Sequence, residues 1–127
     1  MNETSNLEVM EYGVVRIADD VVGTIANIAA TEIQGVNGLS GGIAGELVEM
    51  FGKKNLTKGV KVNTEEKTVE IDLNIIVDFG IKIPEVAWEI QEAVKRSVES
   101  MTGLAVKVVN VHVVGINLKE EKPATTV

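Results

Sequence analysis

The chain has 127 residues, the length of one domain, and is 45% hydrophobic and 24% charged, a globular rather than a disordered composition. Its 19 acidic residues outnumber 12 basic ones for a formal charge of −7, the reverse of the balance that sequence-independent binding to duplex DNA needs. There is no cysteine and a single histidine, His112, which excludes disulfide scaffolds, thiol catalysis, cysteine zinc sites and histidine-rich metal centres.

Met1–Tyr12 lacks the basic run and apolar stretch of a secretory signal, and no apolar run approaches the ~18 residues that cross a bilayer. The expectation is a cytoplasmic protein that touches a membrane peripherally, through a partner.

Val and Ile dominate the apolar residues while aromatics make up 3%, a bias toward strands because β-branched side chains suit a pleated surface. The first predicted strand is Gly13 to Ile17. Asp19 and Asp20 then suit the cap and positive end of a helix. Val22, Ile25, Ala26, Ala29 and Ile33 repeat at helical spacing until Gly35, where a left-handed residue can end the run. Val21 and Ile28 widen this helix's apolar arc to about 200°, roughly twice what packing on one sheet requires. These two are therefore candidate contact residues for a second copy or a partner.

Glycine at positions 35, 38, 41, 42 and 45 predicts a mobile connection, followed by a short amphipathic helix carrying Ile43, Leu47, Met50 and Phe51. Lys53, Lys54, Lys58 and Lys61 come next with no acid among them. They form a candidate patch for an acidic partner or anionic headgroups, the plainer reading being a solvated loop. Val60 and Val62 lead to a turn at Asn63 to Glu66. Val69, Ile71, Leu73, Ile75 and Val77 then alternate as the second strand of a hairpin. Ile83-Pro84-Glu85 opens a second helix, with Val86, Ile90, Ala93, Val94, Ser97 and Met101 as its inner face and Gly103 as its stop. The last strand, Ala105 to Leu118, loses its alternation near Val108-Val109, which predicts a bulge.

The order β-α-(short α)-β-β-α-β predicts an α+β fold, two layers, with a small, mostly antiparallel sheet carrying two main helices on one face. Residues 1–11 are expected to be flexible, 12–118 to form the single domain, and 119–127 to be a disordered tail.

No catalytic constellation stands out. His112 shares a strand face with Asn110, but nothing adjacent in sequence supplies a nucleophile or an orienting carboxylate. Glu70, Asp72 and Asp78 lie on one face of a strand and could bind a hard cation, although such a row is more simply a solvated face. Gly52-Lys53 lacks the glycine five residues earlier that a Walker loop requires. Gly38 to Gly41 and Gly42 to Gly45 each match the GxxG of KH domains, and with Lys53 and Lys54 they keep a single-stranded RNA-binding alternative open against the acidic net charge. Trp88 falls about 150° from the inner face of the second helix, among Glu92, Lys95 and Glu99. It is either a contact anchor or a cover for a neighbouring loop. The residues imply no enzyme, no cofactor and no metal.

The stretches YGVVRIADDVVGTIANIAATEIQGV, KKNLTKGVKV and VDFGIKIPEVAWEIQEAVKRSVESMTGLAVKVVNVHVVGI, together spanning about residues 11 to 118, resemble the alkaline shock protein family. Phe79 stands where that pattern leads one to expect tyrosine. The resemblance implies a cytosolic, non-catalytic scaffold or adaptor of the Gram-positive envelope stress response that self-associates and reaches the membrane through a membrane-anchored protein. It also implies an alternative, regulation of a soluble fatty-acid synthesis enzyme, since some relatives are linked to lipid supply.

Overall fold

A computed structural model describes residues 7–40 and 58–118. Its elements are β1 (Leu7–Met10), β2 (Gly13–Arg16), α1 (Asp19–Thr31), β3 (Val36–Leu39), β4 (Val60–Glu65), β5 (Thr68–Asp78), α2 (Ile83–Thr102) and β6 (Ala105–Asn117). The architecture is the expected α+β one, two helices over one face of a four-stranded, mostly antiparallel sheet.

Everything is arranged around β5. Its alternation puts Val69, Ile71, Leu73, Ile75 and Val77 on the helix side, each at most 1% exposed, and Glu70, Asp72 and Asp78 on the other. One edge of β5 pairs along its whole length with β6, in parallel. The other edge is shared: β4 takes Thr68 to Leu73, and β3 takes Ile75 to Val77, both antiparallel. The two meet at Asn74, whose carbonyl accepts the Ser40 N–H and whose N–H donates to the Gly59 carbonyl, each at 2.9 Å. Strands β3 and β4 thus act as one interrupted strand, with Ser40 and Gly59 at the interruption. The expected short helix carrying Ile43, Leu47, Met50 and Phe51 lies outside the described residues.

Several expectations need correction. The glycine-rich connection is not mobile throughout, because Val36–Leu39 pairs with β5 and buries Leu39. Gly38 therefore sits in a strand. A GxxG loop must join two helices, so Gly38 to Gly41 cannot serve as one; Gly42 to Gly45 lies outside the described residues. The hairpin turn is also later than expected. Asn63 and Thr64 still pair with Glu70 and Val69, and Lys67 takes the positive φ of 68° that closes the turn.

Helix α1 begins after Ala18, with Asp19 and Asp20 in its first turn, where they meet the positive helix end without capping it. Asp19 accepts instead from the Thr64 hydroxyl at 2.7 Å, which ties the start of α1 to β4. The helix buries Val22, Ile25, Ala26, Ala29 and Ala30, and its small side chains allow close approach to the layer below. Helix α2 opens with Pro84 in its first turn and stops at Gly103, φ 79°, as the sequence predicted. Its buried stripe is Val86, Ile90, Val94, Val98 and Thr102, a strict four-residue series, so Met101 turns outward at 70% exposure. Thr102 earns its buried place by donating to the Val98 carbonyl at 2.6 Å and accepting the Leu104 N–H at 3.1 Å.

Strand β6 carries the expected irregularity one residue early, at Lys107, and a second at Val114. The first lets Val106, Val109 and Val111 all face the helices. Where β6 starts, the Glu99 carboxylate accepts the Val106 N–H at 2.9 Å and the Lys95 ammonium at 2.9 Å. Those two donors, the backbone one foremost, hold its carboxyl below the usual 4.5. A carboxyl that titrates lower when folded stabilises the fold above its ordinary value, and that contribution fades as pH falls through the lowered one. Glu99→Gln is therefore expected to lower the thermal midpoint at neutral pH, with the gap to the parent closing in acid. A gap that is unchanged at acid pH would show that charge is not the cause.

Candidate functional site

Two surfaces collect the residues singled out from the sequence, one on each side of the sheet. On the helix layer, Val21 and Ile28 lie two turns apart on one strip of α1, 48% and 45% exposed. Their outward position follows from the over-wide apolar arc, since the sheet and α2 together bury only part of it. Trp88 is 60% exposed at the head of α2 and borders a cleft of about 260 Å³ with Ile33, Glu89, Glu92, Ala93 and Arg96. Of the residues expected beside it, only Glu92 lines that cleft; Lys95 and Glu99 pair with each other on the β6 side of the helix. The cleft joins Trp88 to the end of α1 through Ile33, not through Val21 or Ile28. The lining mixes apolar Ile33, Trp88 and Ala93 with charged Glu89, Glu92 and Arg96, the last two 3.8 Å apart.

The opposite face of the sheet is polar. A cleft of about 580 Å³ is lined by Ser40, Gly59, Val60, Lys61, Asp72, Asn74 and His112. The parallel register sets Asn110 opposite Asp72 and His112 opposite Asn74. Asn110 donates from Nδ2 to Asp72 Oδ1 at 2.7 Å, and His112 Nε2 stands 4.0 Å from the same oxygen. The structure thus supplies a carboxylate near His112 that sequence proximity could not reveal, because it comes from another strand.

Ser40, His112 and Asp72 are the residue types of a nucleophilic triad, but they are not arranged as one. At 4.0 Å the histidine and carboxylate are beyond hydrogen-bond reach, and both side chains are open to water. Glu70 faces Lys107 at 3.6 Å. Among the described residues no group of three or more His, Asp or Glu side chains could hold a metal ion.

Of the lysine cluster, Lys58 and Lys61 are described and Lys53 and Lys54 lie outside the described residues. Lys61 sits in β4 directly opposite Asp72, an acid on the same face. Among the described residues no helix is long and apolar enough to cross a membrane.

Fold and surfaces define a small two-layer α+β domain with exposed apolar residues on its helices and on β2 and β6, and a polar cleft on the outer sheet face. The chain belongs to the alkaline shock protein 23 family, described as having a cell envelope-related function, which it matches over residues 8–118. It is 43% identical over 104 residues to the uncharacterized protein YqhY of Bacillus subtilis, covering 82% of this chain and 77% of that one. The uncharacterized protein YloU of the same organism is 37% identical over 110 residues, 85% of this chain and 92% of its own. A protein of Streptococcus pyogenes named stress response regulator gls24 homolog is 30% identical over 127 residues, 99% of this chain and 71% of the other. A substituted form of the MamM CTD is similar in structure at a TM-score of 0.48 and 20% identity, covering 76% of this chain and 94% of that one.

Proposed function

We propose that this protein is a non-catalytic adaptor of the cell-envelope stress response that works by protein–protein contact through its helix layer. One observation carries the reading: Val21, Ile28 and Trp88 stand exposed on helices whose other large apolar residues, Ile83 and Met101 excepted, are packed in the core. A large aromatic beside an open cleft is the kind of anchor on which binding energy concentrates. Membership of an envelope-related family and similarity to a protein named a stress response regulator support the same role. The partner that fits an envelope-related role is a membrane-anchored protein.

Val21→Gln, Ile28→Gln and Trp88→Gln combined test the surface. Glutamine is a good helix former and all three sites are exposed, so stability should change little, within about 0.5 kcal/mol per site. Partner capture from the host should drop by at least about tenfold. Undiminished capture by the folded variant would remove the helix layer from the mechanism. Regulation of a soluble fatty-acid synthesis enzyme is the second reading, and the recovery of such an enzyme in place of a membrane protein would favour it.

A further inference from the structure

Strand β6 is an edge strand, and only its first half is protected. Glu99 closes the edge at the Val106 N–H, and Gln91 donates from Nε2 to the Val109 carbonyl at 3.0 Å. Val109 therefore turns its backbone groups away from β5. By the alternation of a strand, Val111 and Val113 turn theirs the same way. Among the described residues nothing meets those groups. Exposed Val114 and Ile116 continue the strand beyond them, and exposed Leu118 follows its end. An open, β-branched edge of this kind is a template for one more strand.

The same chain carries a strand that lacks support. Strands β1 and β2 pair with each other and, among the described residues, with no other strand. Val14 and Val15 point to opposite faces of that ribbon and both are exposed, as is Tyr12 at its tip, 94%. A two-stranded hairpin whose β2 side chains are exposed on both faces is marginal in water and gains from a third strand. Within its own molecule β2 does not pair with that edge. The Asp19–Thr64 bond roots it beside β4, while β6 lies along the far edge of β5.

We propose that β2 of one copy adds to the open edge of β6 of a second copy at Val111–Val113. A four-residue strand turns the backbone groups of two residues to its outer edge, the number that Val111 and Val113 leave open. Donor and acceptor are different segments of the chain, so the contact is head-to-tail, and each copy that joins through its β2 brings a further open β6 edge. It uses neither Val21, Ile28 nor Trp88, and so goes beyond the helix-layer docking described above.

The absence of native cysteine makes the test clean. Full-length Val14→Cys and Val114→Cys proteins are mixed in equal amounts and treated with a flexible bis-maleimide. The mixed crosslink should form in excess of either self-crosslink. Crosslinking only between Val114→Cys copies would mean that β6 edges pair with each other; crosslinking only between Val14→Cys copies would mean that hairpins do. Either result, or no crosslink at all, overturns the proposal. Sedimentation equilibrium gives a second reading: the parent should grow in mass with concentration without stopping at a dimer. Removing residues 1–16 should weaken that growth by more than about tenfold while the protein stays folded. Unchanged growth in the deleted protein contradicts the proposal, as does loss of the mixed crosslink when Val21, Ile28 and Trp88 are changed to glutamine.

Discussion

Ile90→Ala is expected to destabilise the protein by about 2–5 kcal/mol, the range for deleting a large side chain from a packed core. Ile90 is fully buried midway along α2, in the stripe that includes Val86, Val94 and Val98, and shares one core with the inward residues of β5. Its neighbours come from two layers and cannot all close on the vacated space, so both burial and packing are lost. Urea unfolding followed by circular dichroism measures the loss. A change below about 1 kcal/mol would mean that α2 does not seal the sheet as described.

Gly59→Ala should cost nearly as much for a different reason. Gly59 has φ 79°, and a Cβ there would lie 2.9 Å from Leu39 Cβ and 3.0 Å from both N and O of Ser40. Two of those three atoms are backbone, so they cannot swing aside, and the left-handed conformation disfavours any side chain. Relief requires parting β3 from β4, which strains the hydrogen bonds that both make to Asn74. Strain and overpacking together suggest about 2–4 kcal/mol. Gly38→Ala is the control, because its added Cβ meets nothing within 4 Å. It should change stability by less than about 1 kcal/mol. Equal effects at the two glycines would show that the collision at the strand junction is not what matters.

What the sequence revealed and concealed divides along physical lines. Strand β5 and helix α2 were legible because their signals are local and long: eleven residues of alternation in one, Pro84 and Gly103 bracketing the other. Strand β3 was not, since four residues containing a glycine carry too little pattern and its support comes from β5, far along the chain. Met101 was misplaced because a wheel drawn from the first turns of α2 also admits the neighbouring strip, whereas Thr102 is accepted inside once its hydroxyl bonds Val98 and Leu104. The outward position of Trp88, Val21 and Ile28 could be read from helical spacing alone. The approach of His112 to Asp72 could not, because it depends on a parallel register fixed by the crossover through α2. The β1–β2 hairpin was half-seen: Gly13 to Arg16 reads as a strand, but its partner Leu7–Met10 sits in a stretch where polar residues interrupt the pattern.

The adaptor reading stands or falls on what the protein holds in the cell. A crosslinked pull-down from the native host, with membrane and soluble fractions analysed separately by mass spectrometry, measures this directly. The account predicts a membrane-anchored protein, recovered together with further copies of this chain and lost when Val21, Ile28 and Trp88 are replaced by glutamine. Recovery of soluble lipid-synthesis enzymes or RNA in its place, untouched by those replacements, would contradict it.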